Sequence, residues 1–397
     1  MKFALVSYVL PPSWSGQAMM LYRLLRDLPP ERYCLVTLDE GGGHNGQEFS
    51  ERLPGRYHFL PPEFRLTRGH RFGGAQANIL VGLVWQIAVR ARRIARIVKE
   101  EKCEAIVGCS GGHDFVYFPA AYLASRLAGV PFYAYLFDDY ATQWISPLVR
   151  FVARRLEPFI MKGAQGIVAH SEFLRDELRE RYGVESIVIH NPCDLSDYEK
   201  ELPPEQTDVD DAEETRIVYT GAISDGQFGA LRNLLAAIER LGRPGVKLHL
   251  YTAQSPEYWG ARGLRGAVVF HEHQTVFAIP AIQRRADLLF LGLAFDSPYP
   301  EHIKTASPGK TGEYLAARRP ILVHAPPDSF VVWYFRTHDC GLVVDADDPE
   351  ALARALARLL EDEELRGRLT EKAWQRARAD FSTETAQAKF VRLLEAP

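Results

Sequence analysis

No stretch of 18 consecutive apolar residues occurs in this 397-residue chain, so nothing in it reads as a membrane-spanning helix. Cysteine is sparse: Cys34, Cys103, Cys109, Cys193 and Cys340 are scattered, odd in number and never spaced as Cys-x-x-Cys. That usage argues for a reduced, cytoplasmic protein. A signal-peptide layout is lacking, because Met1-Lys2 lead straight into the apolar Phe3-Ala4-Leu5-Val6. A large charge of one sign is also absent, and the net charge of −4 argues against a nucleic-acid partner. His271-Glu272-His273 places two imidazoles at strand spacing, but no further ligands accompany them in sequence, so no metal is expected.

What is present is an alternation. Hydrophobic residues make up 47% of the chain and charged residues 25%, as in a globular protein with room for two cores. Strands are expected at 3–8, 33–38, 57–60, 105–109, 132–137, 166–169 and 187–190. Helical patterns lie at about 17–28, 75–100, 117–128, 145–163 and 172–182. Strand-helix alternation of this kind makes parallel β-α-β units and a doubly wound sheet. Residues 195–215 are acidic, contain proline and are nearly free of apolar side chains, which suits a linker. The alternation then restarts, with strands at 217–220, 247–251, 268–271, 288–292, 321–323 and 341–345. Helices are expected near 229–241, 275–285, 308–317, 328–338 and 349–360, then from 362 to 395 with a break near Phe381-Ser382. The fold class expected is α/β, two Rossmann-like doubly wound domains facing a cleft. Ligands of such sheets bind beyond the carboxyl ends of the strands.

The segment from Ser307 to Pro320 carries the most chemistry. Ser307 suits a helix N-cap, and Pro308 suits the first helical position, where its missing N–H costs nothing. A helix start offers N–H groups and partial positive charge to a phosphate, and Lys310 adds a full charge in the first turn. Glu313, one turn deeper, is placed to accept hydrogen bonds from a ribose diol. Together these parts suit a nucleotide diphosphate; an ordinary capped surface helix is the alternative.

The same segment resembles the donor-site motif of family 4 glycosyltransferases, which have the GT-B fold. Pro308, Lys310, Glu313, Tyr314, Leu315, Ala316, Ala317 and Pro320 match, while Gly309 and Arg318 depart from the commonest residues. The resemblance extends along nearly the whole chain, through the opening strand and Gly16-Gln17-Ala18, Ser171 to Leu178, His190-Asn191-Pro192, Tyr219-Thr220-Gly221 and Cys340 to Val344. It implies retaining transfer of a sugar from a nucleoside diphosphate sugar to a hydroxyl acceptor. The acceptor expected is a glycan or a lipid-linked species, in cell-surface glycan or polysaccharide biosynthesis. No cofactor is implied beyond the nucleotide sugar as co-substrate. It also implies an acceptor-side domain over 1–195, a linker over 196–215 and a nucleotide-sugar domain over 216–380. A C-terminal helix over 381–397 would return to the first domain. A sugar-nucleotide epimerase or a non-catalytic sugar-nucleotide scaffold on the same fold are the alternatives.

Other candidates follow the expected strands. Ser15 and Gly16 open a helix after the first strand and suit an anion or an acceptor, or else form a plain turn. His113, in Gly111-Gly112-His113-Asp114, would orient an acceptor hydroxyl or be a polar loop residue. Gly41-Gly42-Gly43 reads as a surface loop. Asp138 follows Phe137, which stands where many family members carry a catalytic-side histidine; its carboxylate would accept from the attacking hydroxyl or simply form a turn. Thr305 occupies the position of a second family glutamate, with Asp296 and Glu301 nearby in sequence. Phosphate neutralisation falls to Lys310 and the helix start around Ser307, Pro308 and Gly309, with Arg232 as a helper. The apolar run 79–89 joined to Arg90, Arg92, Arg93, Arg96 and Lys99 reads first as a packed helix with a solvated basic end. It also fits peripheral contact with an anionic membrane at its inner face.

Overall fold

The computed structural model describes residues 1–13, 15–38, 51–61, 75–111, 114–202 and 214–396. The chain divides into two compact units, Met1–Ile189 with Ala386–Pro397 and His190–Thr385.

The first unit is built on a parallel sheet of β1 (Phe3–Val6), β2 (Tyr33–Leu38), β3 (Arg56–Leu60), β4 (Ala105–Ser110), β5 (Phe132–Leu136), β6 (Gly166–Ala169) and β7 (Ile187–Val188). Their order is β3-β2-β1-β4-β5-β6-β7. Side chains alternate between its faces with period two. Phe3, Leu5, Leu35 and Val107 meet α1 (Gly16–Leu25) and the last turns of the C-terminal helix, through Leu24, Phe390 and Leu394. Ala4, Val6, Val36 and Ile106 meet a second layer of α2 (Ala75–Glu100), α3 (Tyr117–Ala128), α4 (Pro147–Gly163) and α5 (Glu172–Tyr182). Burial on both faces is why these strands read as apolar runs rather than as alternations. Strand order reverses between β1 and β4, so the carboxyl ends of those two strands frame the crevice where a ligand of such a sheet binds.

The second unit begins with the short α6 (Ser196–Glu199), inside the segment expected as linker; residues 203–213 lie outside the described residues. Its parallel sheet comprises β8 (Thr215–Thr220), β9 (Val246–Tyr251), β10 (Val268–His271), β11 (Leu288–Gly292), β12 (Ile321–His324) and β13 (Leu342–Val344), in the order β10-β9-β8-β11-β12-β13. Between the strands run α7 (Asp225–Leu241), α8 (Pro256–Ala261), α9 (Ile279–Arg284), α10 (Pro300–Thr305), α11 (Lys310–Ala316) and α12 (Phe330–His338). After β13 come α13 (Pro349–Glu361), α14 (Glu363–Arg376), a π turn over Ala377–Phe381 and α15 (Thr383–Glu395). Leu231, Leu234 and Ile238 of α7 and Leu352, Leu356 and Leu359 of α13 pack on Ile217, Leu248 and Phe290. Here the order reverses between β8 and β11.

Helix boundaries depart from the sequence pattern where caps decide them. α7 starts four residues before its first periodic residue because Ser224 and Gln227 form a reciprocal capping box. α8 and α10 are too short to show periodicity, and each starts with a proline that follows its N-cap.

Candidate active site

The strand-order reversal of the second unit gathers a buried polar cluster. β8 runs into Gly221, whose φ of 101° is one that residues with a Cβ rarely adopt. α11 brings Lys310 to the same place: a Cβ on Gly221 would lie 3.6 Å from Lys310 Nζ. That nitrogen is buried, sits 3.4 Å over the centroid of the Tyr219 ring, and has no hydrogen-bond partner among the described residues. Burial pushes its pKa down to about 7, and the neighbouring Glu313 carboxylate only partly opposes this. An amine desolvated in this way recovers its charge when an anion is laid against it.

Glu313 is held from the side. Its Oε2 accepts from Gln283 Nε2 at 3.3 Å, and the same nitrogen donates to Thr220 Oγ1 at 3.0 Å. Gln283 Oε1 accepts from Tyr198 Oη at 2.6 Å. With two acceptors before its nitrogen and a donor before its oxygen, this buried amide has one orientation. Tyr314 Oη accepts from the Thr220 N–H at 3.0 Å, so α11 is tied to the carboxyl end of β8 through two consecutive residues. Gln283 carries no sequence signal: a lone glutamine in a six-residue helix has neither motif nor periodicity. Its role exists only because α9 delivers it to β8.

The start of α11 corrects the sequence reading. Ser307 is not its N-cap, and Pro308 is not its first residue. The helix begins at Lys310 with Gly309 in the N-cap position and no side-chain cap. Ser307 lies too early in the chain, where its carbonyl accepts from Asn191 Nδ2 at 2.9 Å. Its hydroxyl is buried with no hydrogen-bond partner among the described residues. Pro308 contributes a carbonyl that accepts from the Thr311 N–H at 2.9 Å. The cap position is filled by glycine, which has no side-chain oxygen to supply. At the other end, Arg318 stands where the motif commonly has glycine, and its φ is 54°. A left-handed residue with a Cβ costs about 1–2 kcal/mol. The Arg318 guanidinium lies 4.1 Å over the Trp374 ring, a contact that offsets about 0.5–1 kcal/mol of it.

The remaining expected residues make contacts of their own. Thr305 is buried at the end of α10, with Oγ1 3.5 Å from the Glu301 carbonyl oxygen. Asp296 is largely exposed and 3.8 Å from Arg232 Nη2, while Glu301 is exposed in the first turn of α10. His271 pairs with His249 at 2.9 Å, and His249 Nε2 lies 2.8 Å from Glu214; desolvation pushes the His271 pKa down to about 4, so the ring is neutral.

In the first unit, the ends of β1, β4 and β5 meet the start of α1. Ser15 is the N-cap of that helix, its Oγ accepting from the Ala18 N–H at 3.2 Å. Among the described residues nothing lies within 4 Å of a Cβ built on Gly16, so their packing does not require glycine there. Gln17 Nε2 donates to Ser7 Oγ at 3.0 Å, and its Oε1 is buried with no hydrogen-bond partner among the described residues. A Cβ on Gly111, whose φ is 124°, would fall 2.7 Å from that oxygen and 3.4 Å from Asp138 Oδ2. Gln17, Gly111 and half-buried Asp138 therefore share one spot, and Gln17 is a member that residue type alone did not single out. Ser110 Oγ holds the turn by donating to the Asp138 carbonyl at 3.0 Å. His113 and Gly41-Gly42-Gly43 lie outside the described residues.

The two adjacent aspartates have different environments. Asp139 is 2% exposed and takes a two-pronged ion pair from Arg181, at 2.7 and 3.3 Å. Glu157 lies beside the same guanidinium at 3.6 Å, and burial, followed by repulsion from Asp139, raises its pKa to about 8. Asp139 thus ties the β5 turn to α5, and Asp138 alone of the pair borders the Gly111 turn.

Residues 14–197 match the model of Glycosyltransferase Family 4, and residues 214–362 match that of Glycosyl transferases group 1. No curated protein matches the chain by sequence search. Among solved structures, a glycosyltransferase from Rickettsia africae superposes with a TM-score of 0.68 at 14% identity, over 100% of this chain and 99% of that one. Anabaena HepE in complex with UDP-glucose does so with 0.68 at 14% identity, over 99% of each chain. Sucrose-phosphate synthase from Thermosynechococcus elongatus gives 0.66 at 15% identity, over 99% and 98%. At such identities the likeness establishes the fold. Glycosyltransferase models matched in both units, on a fold shared with GT-B enzymes along the whole chain, make this protein a member of the family 4-like glycosyltransferases.

Proposed function

We propose that this glycosyltransferase uses a nucleoside diphosphate sugar and transfers the sugar, with retention at the anomeric carbon, to a hydroxyl of a glycan or lipid-linked acceptor. Its place would be cytoplasmic, at the inner face of a membrane, in cell-surface glycan or polysaccharide assembly. The observation that carries the donor assignment is the buried Lys310 amine beside Gly221 and Glu313. As the bond from the anomeric carbon to phosphate breaks, negative charge grows on the diphosphate. The Lys310 ammonium and the backbone N–H groups of Ser307, Gly309 and Lys310, with Pro308 shaping the turn, stabilise that charge without reorganising. Glu313, oriented by Gln283, accepts from the ribose hydroxyls, and Thr305 meets the donor sugar.

On the acceptor side, Asp138 accepts a hydrogen bond from the attacking hydroxyl. Ser15 and Gly16 present the start of α1 to acceptor or phosphate, and His113 orients the acceptor. The acceptor oxygen bonds to the anomeric carbon on the face the phosphate leaves. The departing phosphate oxygen takes the hydroxyl proton, so no strongly basic side chain is demanded. Uridine diphosphate sugars are the first donors to test, because HepE, of the same fold, is described in complex with UDP-glucose.

The experiment is incubation with UDP-glucose and a panel of hydroxyl acceptors, reading the anomeric configuration of the product by NMR. Transfer with an inverted centre refutes retention. Conversion of donor without acceptor would favour an epimerase, a reading kept because a putative UDP-N-acetylglucosamine 2-epimerase from Listeria monocytogenes shares the fold with a TM-score of 0.60.

A further inference from the structure

The helices that cover one face of the first unit's sheet expose apolar side chains on their outer surface. Ile145, just before α4, is 79% exposed, Phe159 on α4 is 70% exposed, and Trp85 on α2 is 60% exposed; Val81, Val84 and Phe151 are exposed with them. Scattered exposed apolar residues are ordinary. These are concentrated on one layer and in register: Phe151, Arg155 and Phe159 repeat at four-residue spacing along α4, and Val81 and Trp85 are followed on the same stripe of α2 by Arg92, Arg96 and Lys99.

The charges exposed on α2 and α4 are cationic apart from Glu100, whereas the neighbouring α5 mixes both signs, exposing Asp176 and Glu180 beside Arg179. Arg92, Arg93, Arg96 and Lys99 on α2 and Arg154, Arg155 and Lys162 on α4 are all exposed. The acidic residues of α2, α3 and α4 are Glu100, at the last position of α2, and Glu157, which is fully buried against Tyr182 and Arg181. A chain with a net charge of −4 therefore collects cations on α2 and α4. The Arg155 guanidinium lies 4.8 Å over the Phe151 ring, so its stem runs along the aromatic while its charge stays at the surface. Helices that connect parallel strands run back against them. α4 starts after β5 and α2 ends before β4, so Ile145, Phe151, Val81 and Trp85 lie toward the carboxyl edge of the sheet, the end that carries Asp138 and Gly111.

We propose that the outer face of α2 and α4 docks the enzyme on an anionic lipid bilayer. Aromatic rings enter the boundary between headgroups and acyl chains, and the arginines and lysines beside them meet anionic headgroups. Among the described residues no helix is long and apolar enough to cross a membrane, so the face lies on the bilayer. Docking would hold the carboxyl edge of the first sheet close to the surface where lipid-linked hydroxyls reside. The inference rests on and deepens the membrane-face placement proposed above, and it is independent of the donor site, since vesicle binding is read without nucleotide sugar.

The test is flotation of the full chain with phosphatidylcholine vesicles, with and without phosphatidylglycerol. Wild type should float with the anionic vesicles and be released by salt. Each neutralised cation, Arg154→Gln or Arg155→Gln, should lower partitioning about fivefold. Phe159→Ser should lower it about tenfold or more. All three side chains are exposed, and an unchanged melting temperature verifies folding. Absence of wild-type binding, equal binding to both vesicle types, or binding indifferent to these variants each overturns the proposal. A wild-type dimer without vesicle binding that Phe159→Ser dissolves would assign the face to a second copy of the chain instead.

Discussion

Lys310 should make donor binding a proton-uptake reaction. Burial holds its pKa at about 7 in the unliganded protein, so at about pH 8 roughly nine-tenths of the molecules carry a neutral amine. A diphosphate placed against Nζ favours the ammonium and raises that pKa. Binding at about pH 8 should then take up about 0.9 proton per donor, falling to about 0.1 near pH 6. Affinity should drop with rising pH, by up to about tenfold per unit above pH 7. The sugar ester of the diphosphate has no group of its own titrating in this range, so UDP-glucose is a clean probe. Calorimetric titration in buffers of different ionisation enthalpy measures the uptake directly, and Lys310→Met should abolish it. Uptake near zero in wild type at pH 8, or unchanged in the variant, would refute the assignment of this amine to the phosphate. The same shift has a signature without ligand. Because the folded pKa lies below the ordinary lysine value of 10.5, the unfolded chain binds more protons between about pH 7 and 10.5. The Lys310 contribution therefore destabilises fully below about pH 7 and vanishes above about pH 10.5, so stability from this group rises through that window.

Three further outcomes are expected. Glu313→Ala should weaken UDP-glucose by about one to two powers of ten, since charge-assisted bonds contribute about 1.5–3 kcal/mol each; equal affinity of wild type for UDP and its 2′-deoxy analogue would show that the carboxylate does not read the ribose. Asp138→Asn, which keeps shape and removes charge, should lower turnover while leaving donor affinity intact, and unchanged turnover would reduce Asp138 to a turn residue. Arg181→Met leaves Asp139 buried without its cation, and urea unfolding should register a loss of about 3–5 kcal/mol; a loss under 1 kcal/mol would mean that the pair does not hold α5 to the β5 turn.

The alternation of apolar runs and amphipathic stretches determined the architecture by itself. A strand buried on both faces must be apolar throughout, as in Ile106-Val107 or Leu289-Phe290, and the helices that cover it must carry a stripe. These are local requirements, written in consecutive residues, which is why α2, α3 and α5 fall on the residues their periodicity marks. The nearness of Lys310 to Glu313 was legible for the same reason: both lie within one turn of a single segment. What periodicity could not specify was anything requiring two distant segments to meet. Ser307 has the right side chain for a cap, but Asn191 takes its carbonyl and leaves Gly309 in the cap position. Asp138 and Asp139 are equivalent as sequence; only the docking of α5, with Arg181, makes one structural and leaves the other beside Gly111. Gln283 has no local signal, yet it joins Tyr198, Thr220 and Glu313. The depressed pKa of Lys310 arises from burial, to which Tyr219, 91 residues away in the chain, contributes its ring face. Desolvation and hydrogen-bond partnership are properties of assembled space, so tertiary structure alone decides them.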